Sequence, residues 1–215
     1  MIRGLFAALF SVVVATAQAS EPEDGRELVE SVSSHILQEI SENRVLFTES
    51  SKALHKVVEE VILPHFDFEK MSKFVMVRQW RKMDAEQRGL FEQEFRGLMV
   101  RIYAKALLEY EDEEIKYLPT RVNKSRNRII VRTKIIQVNG GTLSMDYHLE
   151  LNVDSWKIFD IRVEGISLLK SYKDRFGRQA KAKGVDAVIE ELIARNKKAA
   201  TQEEVVTEDP VNEPG

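Results

Sequence analysis

The sequence predicts an α+β protein, with N-terminal helices, a curved antiparallel sheet and then further helices. Apolar residues recur at helical spacing between Asp24 and Leu107, and they alternate with polar residues between Ile115 and Val163. Helical spacing returns after Gly165. A repeat of about 3.6 residues marks one face of a helix and a repeat of two marks one face of a strand, so the order of elements follows from these changes of period.

The first 19 residues have the features of a secretory signal peptide. Arg3 precedes an apolar run from Leu5 to Ala17, and the segment ends in Ala17-Gln18-Ala19. A positive charge, a short apolar core and small residues at the end form the pattern that signal peptidase recognises. We expect cleavage after Ala19 and therefore export of the mature chain. The next residue is Ser20, whereas a lipid-anchored bacterial lipoprotein would need cysteine there.

Composition limits the remaining possibilities. The chain has no cysteine, which excludes disulfides and thiol chemistry, and its formal charge is −3. Residues 20–198 are enough for one domain, while residues 199–215 have the composition of a disordered acidic tail. Without that tail the charge is close to neutral, so we expect no nucleic-acid partner.

Local signals set the helix boundaries. One helix is predicted from Asp24 to Ile40, and a second from about Ser51 to just before Pro64. Asp67 is placed to cap a short third helix. The clearest helix begins at Asp84 with a pattern like a capping box and carries a wide apolar stripe.

The strands are predicted to form a meander whose inner face is almost wholly apolar. The outer face carries carboxylates and a histidine, which could hold a metal or act as acid and base. Strand parity instead places them opposite cations, which favours a solvated structural face. The predicted ladders are Lys134–Asp146–Arg162 and Arg132–His148–Asp160, with Asn152 opposite Trp156 and a three-residue loop between Val138 and Thr142.

Two further segments complete the prediction. The basic hairpin Arg121–Arg128 is interpreted as a charged turn, with docking of a partner as the alternative. After strand four, Gly165 is expected to let the chain bend, and Ser167 to cap a helix. Glu164 is therefore interpreted as a hinge residue rather than an acid catalyst.

Several blocks of the sequence resemble one known family, and they occur in the same order as in that family. They are LPHFDFEKMSKFVMVRQWRKM, DAEQRGLFEQEFRGLMVRIYAKAL, WKIFDIRVEGISLLKSYKDRF and KGVDAVIEEL, and the resemblance extends from about Asp24 to Lys198. In these blocks the chain is similar to the MlaC family, also called toluene-tolerance auxiliary proteins. A typical member has glycine where this chain has Val77.

The resemblance implies a periplasmic phospholipid carrier that is not an enzyme and uses no cofactor. Its cargo would be phospholipid, exchanged between an outer-membrane lipoprotein–porin complex and the MCE-domain subunit of an inner-membrane ABC transporter, which maintains outer-membrane lipid asymmetry. The implied fold is the cradle of NTF2-like proteins, with acyl chains buried between sheet and helices. Such a slot is needed because each exposed methylene costs about 0.8 kcal/mol in water.

Candidate lining residues follow from the faces predicted for the helix stripe and the strands. They are Trp80, Phe91, Phe95, Leu98, Ile102, Tyr103, Val131, Ile135, Met145, Tyr147, Leu149, Phe159, Ile161 and Val163. The headgroup is expected to stay at the mouth of the slot, because the sequence shows no convergent cationic cluster. Two alternatives stay open, namely an enzyme built on the same cradle and an adaptor of the transporter with a dry core.

Overall fold

The computed structural model describes residues 21–111, 113–153 and 155–207; the predicted signal peptide and residues 208–215 of the predicted tail lie outside the described residues. The α-helices are α1 Pro22–Glu42, α2 Arg44–Glu49, α3 Ser51–Val61, α4 Phe68–Met76, α5 Ala85–Leu108, α6 Leu168–Tyr172, α7 Arg178–Lys183 and α8 Val185–Thr207. The strands are β1 Glu114–Asn123, β2 Arg128–Ile136, β3 Thr142–Asn152, β4 Ser155–Val163 and β5 Ile166–Ser167. None of these helices is long and apolar enough to span a membrane. The predicted α+β class is confirmed.

Side-chain caps begin three of the helices where the sequence predicted them. The backbone N–H of Lys70 donates to Asp67 Oδ1 at 2.9 Å, and that of Lys170 donates to Ser167 Oγ at 3.1 Å. At the start of α5, Asp84 and Gln87 form a reciprocal capping box. Each cap satisfies a backbone donor that the first helical turn leaves unpaired, which fixes where the helix begins.

The strands form one antiparallel sheet in the order β1-β2-β3-β4-β5, the meander that the sequence predicted. The predicted register between β2 and β3 is wrong by two residues, since Arg132 pairs with Asp146 and Lys134 with Ser144. The cause is the loop, which has five residues, 137–141, instead of three. Its glycine Gly140 does take a positive φ of 85°, as the turn requires.

Between β3 and β4 the register is correct at one end and wrong at the other. Asp146 pairs with Arg162 and His148 with Asp160, as predicted. A β-bulge then intervenes, so that the partner of Asn152 is Ser155 instead of Trp156. The bulge gives β4 one extra residue, Phe159, and reverses the faces of the residues before it.

This reversal corrects the predicted facing of β4. Trp156 and Ile158 join Ile161 and Val163 on the apolar inner face, because they pair with inward residues of β3. Phe159 lies instead by the outer-face side chains, with its ring 6.2 Å from that of His148. The sequence prediction that Phe159 points inward is therefore wrong.

The buried apolar side chains form two separate clusters. The helix cluster contains side chains from each of the helices α1 through α5, from α6 and α8, and from the segment between α6 and α7. The sheet cluster joins the inner face of β2, β3 and β4 to Val29 of α1. Phe66 packs against both clusters and so lies at their boundary.

The outer face of β4 is not a fully solvated surface. Asp160 is only 7% exposed, and its Oδ1 accepts a hydrogen bond of 3.2 Å from the backbone N–H of Leu169 at the start of α6. From α4, Lys70 forms an ion pair with Glu150. Helices α4 and α6 therefore cover part of the outer face, which the sequence predicted to be exposed to solvent.

Candidate functional site

Helix α1 lies directly on one half of the inner face. A Cβ atom placed on Gly25 would come within 2.3 Å of Ile129 Cδ1 and 3.0 Å of the Trp156 ring. The indole N–H of Trp156 also donates to the carbonyl of Glu21 at 2.9 Å. Glycine at this position allows the helix to approach the sheet closely, and the sheet cluster is tightly packed as a result.

Two phenols reach α1 from the same face. The side chains of Tyr117 and Tyr147 both lie close to Ser33 of α1. Burial raises the pKa of Tyr147 to about 12, so its hydroxyl remains protonated over the physiological range. These phenols and Thr133 are neutral hydrogen-bonding groups on a face that is otherwise apolar.

The other half of the inner face is apolar but incompletely packed. Ile135, Met145 and Val163 share this face, and all three are only partly buried. None of them belongs to either buried cluster. Apolar surface of this kind, next to a close-packed core, is typical of a place where an apolar ligand binds.

The helix cluster contains a group of interlocking aromatic rings. Phe91 and Phe95 stack at 5.7 Å between ring centroids, and Phe95 meets Tyr172 edge-on at 5.3 Å. Phe176 stacks on Tyr172 at 5.8 Å. The Tyr103 hydroxyl lies 3.4 Å from that of Tyr172, which ties α5 to α6. Ring contacts of this geometry add to the burial of apolar area and make this cluster rigid.

The fourteen predicted lining residues do not surround one void in this structure. Trp80, Phe91, Phe95 and Leu98 are buried in the helix cluster, with Tyr103 and Phe159 packed at its edge. Val131 and Leu149 are buried in the sheet cluster, with Tyr147 and Ile161 at its edge. Ile135, Met145 and Val163 lie beyond both, and Ile102 is 47% exposed.

A cavity of about 430 Å³ lies on the outer face of the sheet, and the sequence did not predict it. We call it the outer cavity; it lies between α4, α6, the β1–β2 hairpin and the outer faces of β2, β3 and β4. Its apolar walls include Phe74, Val122, Ile130, Phe159 and Leu169. Its cations are Arg121, Arg126, Arg128, Arg162 and Lys170.

The expectation that no cationic cluster converges is therefore wrong. Asp160 is the only carboxylate among the described residues that line the outer cavity, against five cations. Burial, together with Arg162, lowers the pKa of His148, which keeps the imidazole neutral at pH 7. The basic hairpin was the one sequence signal of this site, but it did not reveal that Arg162 and Lys170 join it.

Contacts within the outer cavity hold part of this charge in place. The Arg128 guanidinium lies 5.0 Å from the centre of the Phe159 ring and forms an ion pair with Glu150. The Lys70 ammonium lies 4.8 Å from the same ring. Phe159 thus contacts two cations, which explains why a bulge residue with an apolar ring remains on the charged face.

A second cavity, of about 360 Å³, lies between α3, α5 and α8. Asn196 closes one side of it and donates to the carbonyl of Glu94 at 2.9 Å and to its carboxylate at 2.6 Å. Its lining mixes both charge signs, including Glu59, Arg101 and Lys197. Within the described part of the chain, no group of three or more histidines and carboxylates could hold a metal ion.

Comparison with known proteins gives a consistent result. The chain is 27% identical over 185 residues to the toluene tolerance protein ttg2D of Pseudomonas putida, which covers 86% of this chain and 84% of that protein. It is 24% identical over 168 residues to the intermembrane phospholipid transport system binding protein MlaC of Haemophilus influenzae, covering 77% and 78%.

A solved structure is similar over most of the fold. The phospholipid-binding protein of Ralstonia solanacearum, determined in complex with a phospholipid, superposes with a TM-score of 0.76 at 26% identity. The match covers 82% of this chain and 99% of that one. The sequence profile of the family described as MlaC protein matches residues 30–194. The chain belongs to the MlaC family.

Proposed function

We propose that this protein is a periplasmic carrier that binds a phospholipid by its acyl chains and transfers it between membrane complexes. The observation that carries the proposal is the likeness to the Ralstonia solanacearum protein, which has the same fold and was determined with a phospholipid bound. Diacyl lipids need such a carrier because moving their chains through water is strongly unfavourable.

The acyl chains are placed between the inner face of the sheet and the helices. The support for this position is the incompletely packed half of the inner face, around Ile135, Met145 and Val163. The boundary between the two clusters at Phe66 supports it further, because separately packed units part at a lower cost than one continuous core. Thirteen of the fourteen lining residues remain the proposed contacts, and Phe159 is assigned to the outer face instead.

The proposed partners are the MCE-domain subunit of an inner-membrane ABC transporter and an outer-membrane lipoprotein–porin complex. We assign no catalytic step to the protein. An enzyme on this cradle would need an acid held protonated in the apolar slot. The inner-face groups with a raised pKa are instead the phenols Tyr117 and Tyr147, which are already neutral at pH 7.

The slot is tested by substituting Met145→Trp in the mature protein and measuring the phospholipid that co-purifies. Met145 is partly buried, so an indole can occupy the slot without entering a close-packed cluster. We expect the lipid content to fall by more than half while the melting temperature changes by only a few degrees. The matched control is Val153→Trp, at a position that is 97% exposed, where the lipid content should not change.

Full lipid content in the Met145→Trp variant would place the slot elsewhere. The transfer step is tested separately, by mixing protein loaded with radiolabelled phospholipid with a purified MCE-domain subunit. Label should pass to that subunit, and retention of all label on the carrier would contradict the proposed partner.

A further inference from the structure

We propose that the outer cavity binds the phosphate group of an amphiphilic phosphate ester, with its alkyl part against the Phe159–Leu169 wall. The inference goes beyond the proposed function, because the outer cavity and the proposed acyl slot lie on opposite faces of the sheet. It depends on the juxtaposition of unpaired cations with exposed apolar side chains around one concave space of about 430 Å³.

Three of the cations have no charge partner in the part of the chain that the structure describes. Arg121, Arg126 and Lys170 form no ion pair with any carboxylate of the described residues. Arg128 and Arg162 are engaged with Glu150 and Asp160. The outer cavity therefore offers positive charge that an external anion can neutralise.

The type of cation indicates the type of anion. Arginine presents its N–H groups as a planar fork that matches the oxygens of a phosphate, and such charge-assisted hydrogen bonds are about twice as strong as neutral ones. Arg121 lies near the end of β1, Arg126 lies in the turn between β1 and β2, and Lys170 lies in the first turn of α6. Three donors from two separate segments can therefore surround one phosphate group.

The apolar walls indicate that the ligand also carries an alkyl group. Phe74 and Val122 are each 46% exposed and line the same cavity, and a contiguous exposed apolar patch is typical of a binding site. Leu169 and Phe159 continue this wall towards the helix cluster. The volume lies in the range of small-molecule sites, which favours a small amphiphile over a protein segment.

Two sources provide this chemistry. One is a phospholipid bound at the outer face, apart from the acyl slot, and the other is a single-chain amphiphile such as a lysophospholipid or an alkyl phosphate. Both present a phosphate ester beside an alkyl chain, so the site is the same for either. A comparison of phospholipid-loaded with delipidated protein distinguishes the two sources.

The probe is decyl phosphate, titrated calorimetrically into the delipidated mature protein, with decyl maltoside as the uncharged comparison. Decyl phosphate should bind more tightly than decyl maltoside, and its affinity should fall as salt rises. The triple variant Arg121→Gln, Arg126→Gln, Lys170→Gln should lose at least tenfold in affinity, which corresponds to about 1.4 kcal/mol. Each single variant is also measured, in case the triple variant does not fold.

The matched control removes the same charge elsewhere. Lys52→Gln, Lys181→Gln, Lys183→Gln changes three exposed lysines outside the outer cavity and should leave the affinity unchanged. If protein loaded with phospholipid no longer binds decyl phosphate, a phospholipid occupies the outer cavity. If loaded and delipidated protein bind it equally, the ester comes from a separate source, and both results support the site.

Three results would overturn the inference. They are no binding of decyl phosphate, equal affinity in the cavity variant and the parent protein, and an equal loss in the lysine control. The proposed function fails on a different observation, namely the absence of phospholipid from the purified protein. If the protein is purified from the periplasm without any phospholipid but still binds decyl phosphate, the carrier function is contradicted while the site stands.

Discussion

Val77 follows α4 with a backbone conformation that a β-branched residue rarely adopts. Its φ is 52° and its ψ is −118°, so it lies in the region that favours glycine. A non-glycine residue held in such a region stores about 1–3 kcal/mol of strain. The position is the one at which typical members of the family have glycine, and the structure gives a physical reason for that preference.

The substitution Val77→Gly should relieve this strain, and comparison with Val77→Ala isolates the backbone contribution. Val77 is 43% exposed, so either change loses little more than half of the roughly 1.5 kcal/mol that burying a valine contributes. Glycine also adds about 0.5–1 kcal/mol of unfolded-chain entropy. Alanine keeps most of the strain, and the net expectation is that glycine is more stable than alanine by about 1 kcal/mol.

The assay is urea unfolding followed by tryptophan fluorescence, with thermal unfolding as a second measure. A difference of about 1 kcal/mol corresponds to about 2–4 °C for a chain of this size. The control pair is Gln93→Gly and Gln93→Ala at an exposed position inside α5, where alanine should be the more stable by about 1 kcal/mol. Alanine more stable than glycine at residue 77 as well would refute the claim that Val77 is strained.

Two further predictions concern the packing of α1 and the outer face. Gly25→Ala should destabilise the fold by about 1–2 kcal/mol in urea unfolding, because its Cβ meets Ile129 and the Trp156 ring; unchanged stability would show that α1 does not lie so close. His148 has a lowered pKa, so the unfolded chain binds more protons than the folded protein as pH falls below about 6.5. The free energy of unfolding should therefore fall between pH 7 and 5, and His148→Gln should make this fall shallower; an identical pH profile would contradict the assignment.

Local sequence signals predicted the elements well because each acts over a few residues. Asp67, Asp84 and Ser167 cap helices through backbone donors three residues away, and alternation along β3 specifies its two faces. The joint after β4 also agrees with the prediction. Glu164 and Gly165 both have a positive φ in an exposed turn, which fits the predicted bend of the chain.

Features that depend on distant partners were not predictable in the same way. The bulge at Phe159 has no residue signature. It lies where β4 packs against α4 and α6, which are distant in sequence. The outer cavity is lined by the basic hairpin together with Arg162 and Lys170, which are more than thirty residues away from it in sequence. Periodicity also did not show that the inner face divides into a packed and an incompletely packed half, because both halves alternate identically.

The central claim is that this chain carries phospholipid in its native compartment. The most direct test is native mass spectrometry of residues 20–215 exported to the periplasm of a Gram-negative host and purified without detergent. We expect the protein mass to be increased by a stoichiometric amount of bound phospholipid, and we expect organic solvent to release that phospholipid. A homogeneous protein that carries no lipid, and takes up none from added phospholipid vesicles, would contradict it.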